Sequence, residues 1–113
     1  MKKQSVQFAI LALIFSTPLY AGTTAAEMGK KVYANACASC HGLKGDGNGP
    51  VGANLNPKPR NLVNDKFKNG DKPQQVLASI TKGIPGTLMT GYAYLSEKER
   101  KAVTQYVLSF RKK

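Results

Sequence analysis

The 113-residue sequence has no tryptophan, one histidine and two cysteines. Each scarcity closes off a class of function. A structural zinc site takes four ligands, mostly Cys and His, and this chain does not contain four of them. A disulfide-stapled scaffold needs cysteines that join distant segments, whereas Cys37 and Cys40 sit within one CxxC. A thioredoxin-like redox CxxC belongs to a βαβ setting, and no strand pattern is visible. Acidic residues are also few, 6 against 17 Lys+Arg, for a formal net charge of +11. The basic residues are spread along the chain and form no dense run of the kind that binds nucleic acid. Long hydrophobic runs are missing too. The main apolar stretch, residues 6–15, is too short to span a bilayer comfortably.

That stretch has another reading. Lys2 and Lys3 precede it, Ser16, Thr17 and Pro18 break it, and Leu19-Tyr20-Ala21 ends on a small residue. Residues 1–21 therefore read as a secretory signal peptide cleaved after Ala21, leaving one small domain over 22–113.

That domain reads as all-α, with three main helices and long loops. Thr24-Ala25-Ala26-Glu27 fits a capping box. Gly29, Val32, Tyr33 and Ala36 then fall on one face of a helix that runs into Cys37. A second helix is expected over 72–82, with Asp71 as its cap, Gln74 completing the box, Pro73 in the first turn and Gly83 at the end. The third begins at Ser96, where Ser96-Glu97-Lys98-Glu99 is another capping box. Glu97 and Glu99 at its start, and Arg111, Lys112 and Lys113 at its end, suit the helix dipole. Val103, Tyr106, Val107 and Phe110 make its inward face. Residues 42–72 are rich in Gly, Pro and Asn. Such a loop in a compact domain is expected to wrap something.

Cys37-Ala38-Ser39-Cys40-His41 says what. CxxCH is the attachment pattern of haem c. Each thiol adds to a vinyl group, and the spacing puts both sulfurs along one porphyrin edge with the histidine placed to bind iron. The only cysteines and the only histidine fall together in this order. In an oxidising compartment a bare CxxC tends to close, so attachment is expected to follow export with the thiols kept reduced. The iron takes a sixth ligand or keeps an open position; with no second histidine, bis-His ligation is excluded and the methionines Met28 and Met89 are the candidates. Met28 precedes Cys37 on the same helix and cannot reach the other haem face. Met89, in the Gly- and Pro-rich loop 83–95, can.

With these motifs the chain resembles the class I cytochromes c over essentially all of 22–113. Gly29-x-x-x-Tyr33 before the CxxCH, and Tyr106 near the C-terminus, look like the family's two terminal helices. The resemblance implies that these cross closely, with Gly29 letting the backbones approach. It also implies that the Pro50 carbonyl accepts a hydrogen bond from His41 Nδ1–H, an outer contact that orients the ligand. The stretches 45–50 and 57–62 resemble a subgroup found both as free carriers and as haem domains of terminal oxidases. On that likeness Arg60 is a candidate partner for a haem propionate, the alternative being a solvated loop side chain. Thr90 follows Met89 where the family often has proline. Tyr92 and Tyr94 are expected to be partly buried at the pocket.

The expected protein is thus a monomeric, soluble, periplasmic electron carrier with one haem c bound through Cys37 and Cys40, and with His41 and Met89 on the iron. The exposed edge near the cysteines is its electron port. Lys30, Lys31, Lys44, Lys58 and Lys82 are candidates for a basic rim that meets acidic-faced redox proteins in transient complexes. No nucleic-acid partner, no stable membrane insertion and no enzymatic activity are expected. Two other readings stay open: a haem subunit held permanently in an oxidase, reductase or dehydrogenase, and a haem enzyme whose sixth ligand leaves.

Overall fold

The computed structural model describes residues 22–111, together with 2–5, 7, 9 and 12–14. The expected cleavage region at 16–21, and Lys112 and Lys113, lie outside the described residues. The helices are α1 (Ala25–Ala36), α2 (Ala38–His41), α3 (Pro73–Lys82) and α4 (Glu97–Ser109), with a 3-10 turn at Gly52–Asn54. No strand occurs among the described residues, and among them no helix is long and apolar enough to cross a membrane.

The first helix does not run unbroken through the CxxCH. Cys37 leaves helical geometry at φ −121°, although its N–H still reaches the Tyr33 carbonyl at 2.9 Å. The N–H groups of Cys40 and His41 then both turn back to the Cys37 carbonyl, at 3.2 and 3.0 Å. The attachment motif is therefore a separate helical turn, hinged at its first cysteine.

The caps follow local chemistry, with one shift. Thr24 Oγ1 accepts the Glu27 N–H, and Ser96 and Glu99 cap each other's N–H groups reciprocally. On α3 the cap is Lys72, not Asp71. Proline takes the first helical position because it has no N–H to leave unpaired there. The residue before it is pushed to extended geometry, and Lys72 has φ −71° and ψ 149°. The third helical residue is then Gln75, not Gln74, and its Oε1 accepts the Lys72 N–H at 3.1 Å.

α1 and α4 cross closely at Gly29. A Cβ there would run into the Ala102 carbonyl, so any other residue would push the helices apart. Beside the crossing, Tyr33 and Val103 are 1% and 0% exposed. The rings of Tyr33, Tyr106 and Phe110 meet at centroid distances of 5.1 to 5.2 Å, each pair adding about 1 kcal/mol beyond its buried area. α3 packs on α4 and contributes Val76 and Ile80 to the same core. Arg111 does more than face a helix dipole. Its guanidinium donates to the carbonyls of Leu62 and Asp65 at 3.1 and 2.8 Å and lies 4.3 Å from the centre of the Phe67 ring. It straps the 62–67 segment to the end of α4.

Candidate functional site

The break at Cys37 and the turn of α2 bring Cys37, Cys40 and His41 to the wall of one cleft. A helix this short leaves most of its carbonyls without helical partners. The glycine-rich loop supplies the partners. The N–H groups of Gly47, Gly49 and Val51 donate to the carbonyls of His41, Cys40 and Ser39 at 2.8, 3.1 and 2.9 Å. So close an approach excludes side chains. A Cβ on Gly49 would strike the carbonyls of Ala38 and Ser39, and one on Gly52 would strike that of Cys40. The first half of the long loop thus packs against the backbone of the attachment turn. The later part lines the cleft, through Leu55, Pro57, Pro59 and Arg60.

This placement moves the partner of His41. Its Nδ1 lies 3.0 Å from the Arg60 carbonyl, not from that of Pro50. Pro50 is an exposed turn residue. It stands between Gly49 and Val51, whose N–H groups are committed to α2, so its segment runs along the helix backbone. Nδ1–H donating to Arg60 leaves Nε2 as the ring nitrogen with a free lone pair. Burial lowers the proton affinity of His41, opposed by that hydrogen bond, so the imidazole is neutral. Burial, aided by Cys40, pushes the Cys37 thiol up to about 11. It is a thiol, not a thiolate, until it is consumed.

Met89 reaches the cleft from a loop that braces itself. Ile84-Pro85-Gly86-Thr87 is a turn with Gly86 at φ 79°, the geometry that Pro followed by Gly favours, and the Thr87 N–H donates to the Ile84 carbonyl at 3.2 Å. Thr87 Oγ1 donates to the same carbonyl at 2.7 Å and accepts the Met89 N–H at 3.1 Å. The Met89 carbonyl in turn accepts the Ile84 N–H at 3.0 Å. Thr87 was not singled out by sequence reasoning. The Pro-Gly pair two residues upstream was the available signal.

Two cavities make up the cleft, of about 190 and 70 Å3. His41, Arg60, Lys68 and Met89 border both, as does Cys37. The smaller is walled by apolar core residues, among them Leu62, Phe67, Ile80 and Val107. Lys58, Arg60 and Lys68 are the charged residues on the lining, and no carboxylate lines it among the described residues. Of the residues expected at the site, Cys37, Cys40, His41, Arg60 and Met89 come together, and Pro50 does not. Tyr92 lines the cleft and donates to the Ala36 carbonyl at 2.9 Å. Tyr94 is 77% exposed, which corrects its expected burial. Met28 packs on the core from α1.

This donor set fits a haem c. Two thiols, a neutral imidazole and a thioether border one cleft with apolar walls, and the Lys58, Arg60 and Lys68 cations on its lining suit the two propionates of a haem. The cytochrome c family model matches residues 26–111. The chain belongs to the cytochrome c family. It is a class I c-type cytochrome, related to oxidase haem domains, and its cofactor is haem c held through Cys37 and Cys40. It is 33% identical over 85 residues to the cbb3-type cytochrome c oxidase subunit FixP of Azorhizobium caulinodans, covering 75% of this chain and 27% of that one. To the subunit CcoP of Azospirillum brasilense it is 32% identical over 83 residues, 74% of this chain and 28% of that one. Among solved structures it resembles a chain of the Kuenenia stuttgartiensis reducing HAO-like protein complex, with a TM-score of 0.69 and 31% identity over 79% of this chain and 44% of the other. The cytochrome thus spans about a quarter of the curated relatives' length and less than half of the solved chain.

Proposed function

We propose that this cytochrome is an exported single-electron carrier in which His41 and Met89 bind the iron. The supporting observation is the cleft itself, where the CxxCH turn and the methionine loop present an imidazole and a thioether to one space. Bound there, the haem supplies a one-electron Fe(III)/Fe(II) couple. The protein's part is positional. The Arg60 carbonyl holds His41 in the tautomer that leaves Nε2 free. Thr87 holds the Met89 backbone. Leu62, Phe67 and Ile80 keep water from the inner lobe. A site with both axial positions filled by the protein favours electron transfer over chemistry on a bound substrate, so the chain is not itself an enzyme. The signal-peptide pattern at 1–21 supports export to the periplasm as a domain of 22–113. Without Lys2 and Lys3 its formal charge falls from +11 to +9, which suits acidic-faced redox partners in brief encounters, and the protein itself is a monomer. Arg60 and Lys68 are the side chains nearest to hand for the haem propionates.

In Met89→Ala holoprotein the weak red band of sulfur–iron ligation disappears and the reduction potential falls. An unchanged ferric spectrum refutes the assignment. The relatives favour a second reading, since those proteins are named as oxidase subunits or belong to a larger complex. In it the same domain works as a module docked on an enzyme. Gel filtration of protein from its native membrane-free and membrane fractions separates the two. The carrier elutes as a small monomer, and the module elutes with a large redox enzyme.

A further inference from the structure

The methionine loop is closed on itself, and its attachments to the rest of the protein are few. Both of its ends are tied to α3. The Gly83 N–H donates to Ser79 and the Tyr92 N–H to Ile80, each at 2.8 Å. Between those ends, two hydrogen bonds among the described residues link 84–92 to another part of the fold. One runs from the exposed Lys68 Nζ to the Pro85 carbonyl and is long, at 3.4 Å. The other runs from Tyr92 Oη to the Ala36 carbonyl at 2.9 Å and is half-buried. Ala36 is the last residue of α1 and is followed by Cys37, so this bond joins the methionine loop directly to the attachment turn. Its acceptor is special. In a helix running on through the CxxCH, the Ala36 carbonyl would take an N–H four residues on. The break at Cys37 sends the Cys40 N–H to the Cys37 carbonyl instead, and that leaves the Ala36 carbonyl for Tyr92.

We infer that Tyr92 is a clamp, a positioning residue whose hydrogen bond to Ala36 keeps Met89 in the cleft and so sets how readily the sixth coordination position opens. The inference rests on Met89 as the axial ligand and deepens that reading. Its physical content is an equilibrium between a closed loop and one swung away from α1. The loop's own braces at Thr87 survive the swing, because they lie within 84–89. The loop can therefore open as a unit, and the energy that opposes opening is concentrated in the thioether–iron bond, the core packing of Met89 and the Tyr92 clamp.

Imidazole titrated into the ferric holoprotein reads this equilibrium, because it binds iron only when the thioether is off. Tyr92→Phe keeps the ring in place and removes the hydroxyl. It should bind imidazole about three- to tenfold more tightly than the parent, which is one hydrogen bond expressed as a ratio of constants. It should also lose the sulfur–iron band at lower imidazole concentration. Val103→Ala, a core change outside the cleft, lowers overall stability and should leave imidazole affinity unaltered. An affinity of Tyr92→Phe within about twofold of the parent overturns the clamp. So does a Val103→Ala protein that tightens as much as Tyr92→Phe, since that would make the effect one of general loosening. Met89→Ala keeps the two ideas apart. If its spectrum and imidazole affinity match the parent's, the ligand assignment falls whatever Tyr92 does. If it binds imidazole most tightly of all while Tyr92→Phe equals the parent, the ligand stands and the clamp fails.

Discussion

The two loops that line the cleft are held in opposite ways. The glycine-rich loop after His41 is held by backbone. Its N–H groups lie on the carbonyls of α2, and at Gly49 and Gly52 there is no space for a side chain. The methionine loop is tied by backbone to α3 at its ends and to itself between them, but its bonds across to the rest of the fold are made by side chains, chiefly the Tyr92 hydroxyl to α1, with the Thr87 hydroxyl bracing it from within. The difference follows from the chemistry each must support. The imidazole side is attached to a turn that is covalently bound through two cysteines, and the segment behind that turn has no reason to move. With Met89 as the proposed second iron ligand, the thioether side depends on a weaker bond from a loop. A few replaceable hydroxyl contacts then suffice to set how firmly it stays.

The hardest way to break this contrast is to put a side chain where backbone meets backbone. Gly49→Ala should cost about 3 kcal/mol of stability in denaturant unfolding of the holoprotein, because the methyl group meets two carbonyls that cannot yield without unseating α2. A cost near zero would mean that the loop floats free of the turn. Tyr33→Phe tests the same side more gently. Its hydroxyl donates to the Gly42 carbonyl at 2.6 Å where the glycine loop begins, and removing it leaves that carbonyl with the Gly45 N–H alone, at 3.0 Å, and should cost about 1 kcal/mol. The effect depends on pH. Burial first, then nearby acidic groups, raises the Tyr33 hydroxyl well above its ordinary 10.0. The unfolded chain therefore ionises this group from about pH 10 while the folded one does not, so the stability it contributes is whole below pH 10 and declines above it. The gap between parent and Tyr33→Phe should be full at pH 8 and narrow steadily above pH 10. A constant gap would count against it. Thr87→Val sharpens the other side of the comparison. Removing its hydroxyl bonds should lower global stability by only about 1 kcal/mol, yet raise the rate at which imidazole displaces the thioether in stopped-flow mixing. If stability falls as far as in Gly49→Ala, the methionine loop is no looser than its neighbour.

Much of this fold was legible before any coordinates. The Ser96 box stands at the start of α4, and Thr24 caps α1. The Val103, Tyr106, Val107, Phe110 face packs inward, as its spacing requires. α3 is capped at Lys72 and not at Asp71, because the steric preference that places proline first in a helix outweighs the side-chain chemistry of the aspartate. At the site, residue type alone points to Cys37, Cys40, His41 and Met89, because few other residues could serve, and folding brings the four to one cleft. Pro50 was misplaced as the partner of His41. A backbone carbonyl is the same in every residue, so nothing in the sequence marks which one will receive the imidazole. Thr87, and the acceptor that Tyr92 finds, are hidden for a related reason, since a hydroxyl shows its role only when its partner is in view.

By itself the sequence determined the four-way outline of this cytochrome: its helical class, its caps, its attachment motif and its two candidate iron ligands. These depend on residue chemistry and on neighbours within a turn or two, where spacing is enough to decide geometry. Tertiary structure alone decided that His41 leans on Arg60, that Gly49 lies against Ala38 and Ser39, and that Tyr92 reaches Ala36. Those contacts join segments that only folding brings together, and one of the acceptors, the Ala36 carbonyl, is made available by the break in the helix at Cys37. That break satisfies no local propensity. It answers to the need to bring two cysteines and a histidine to one wall.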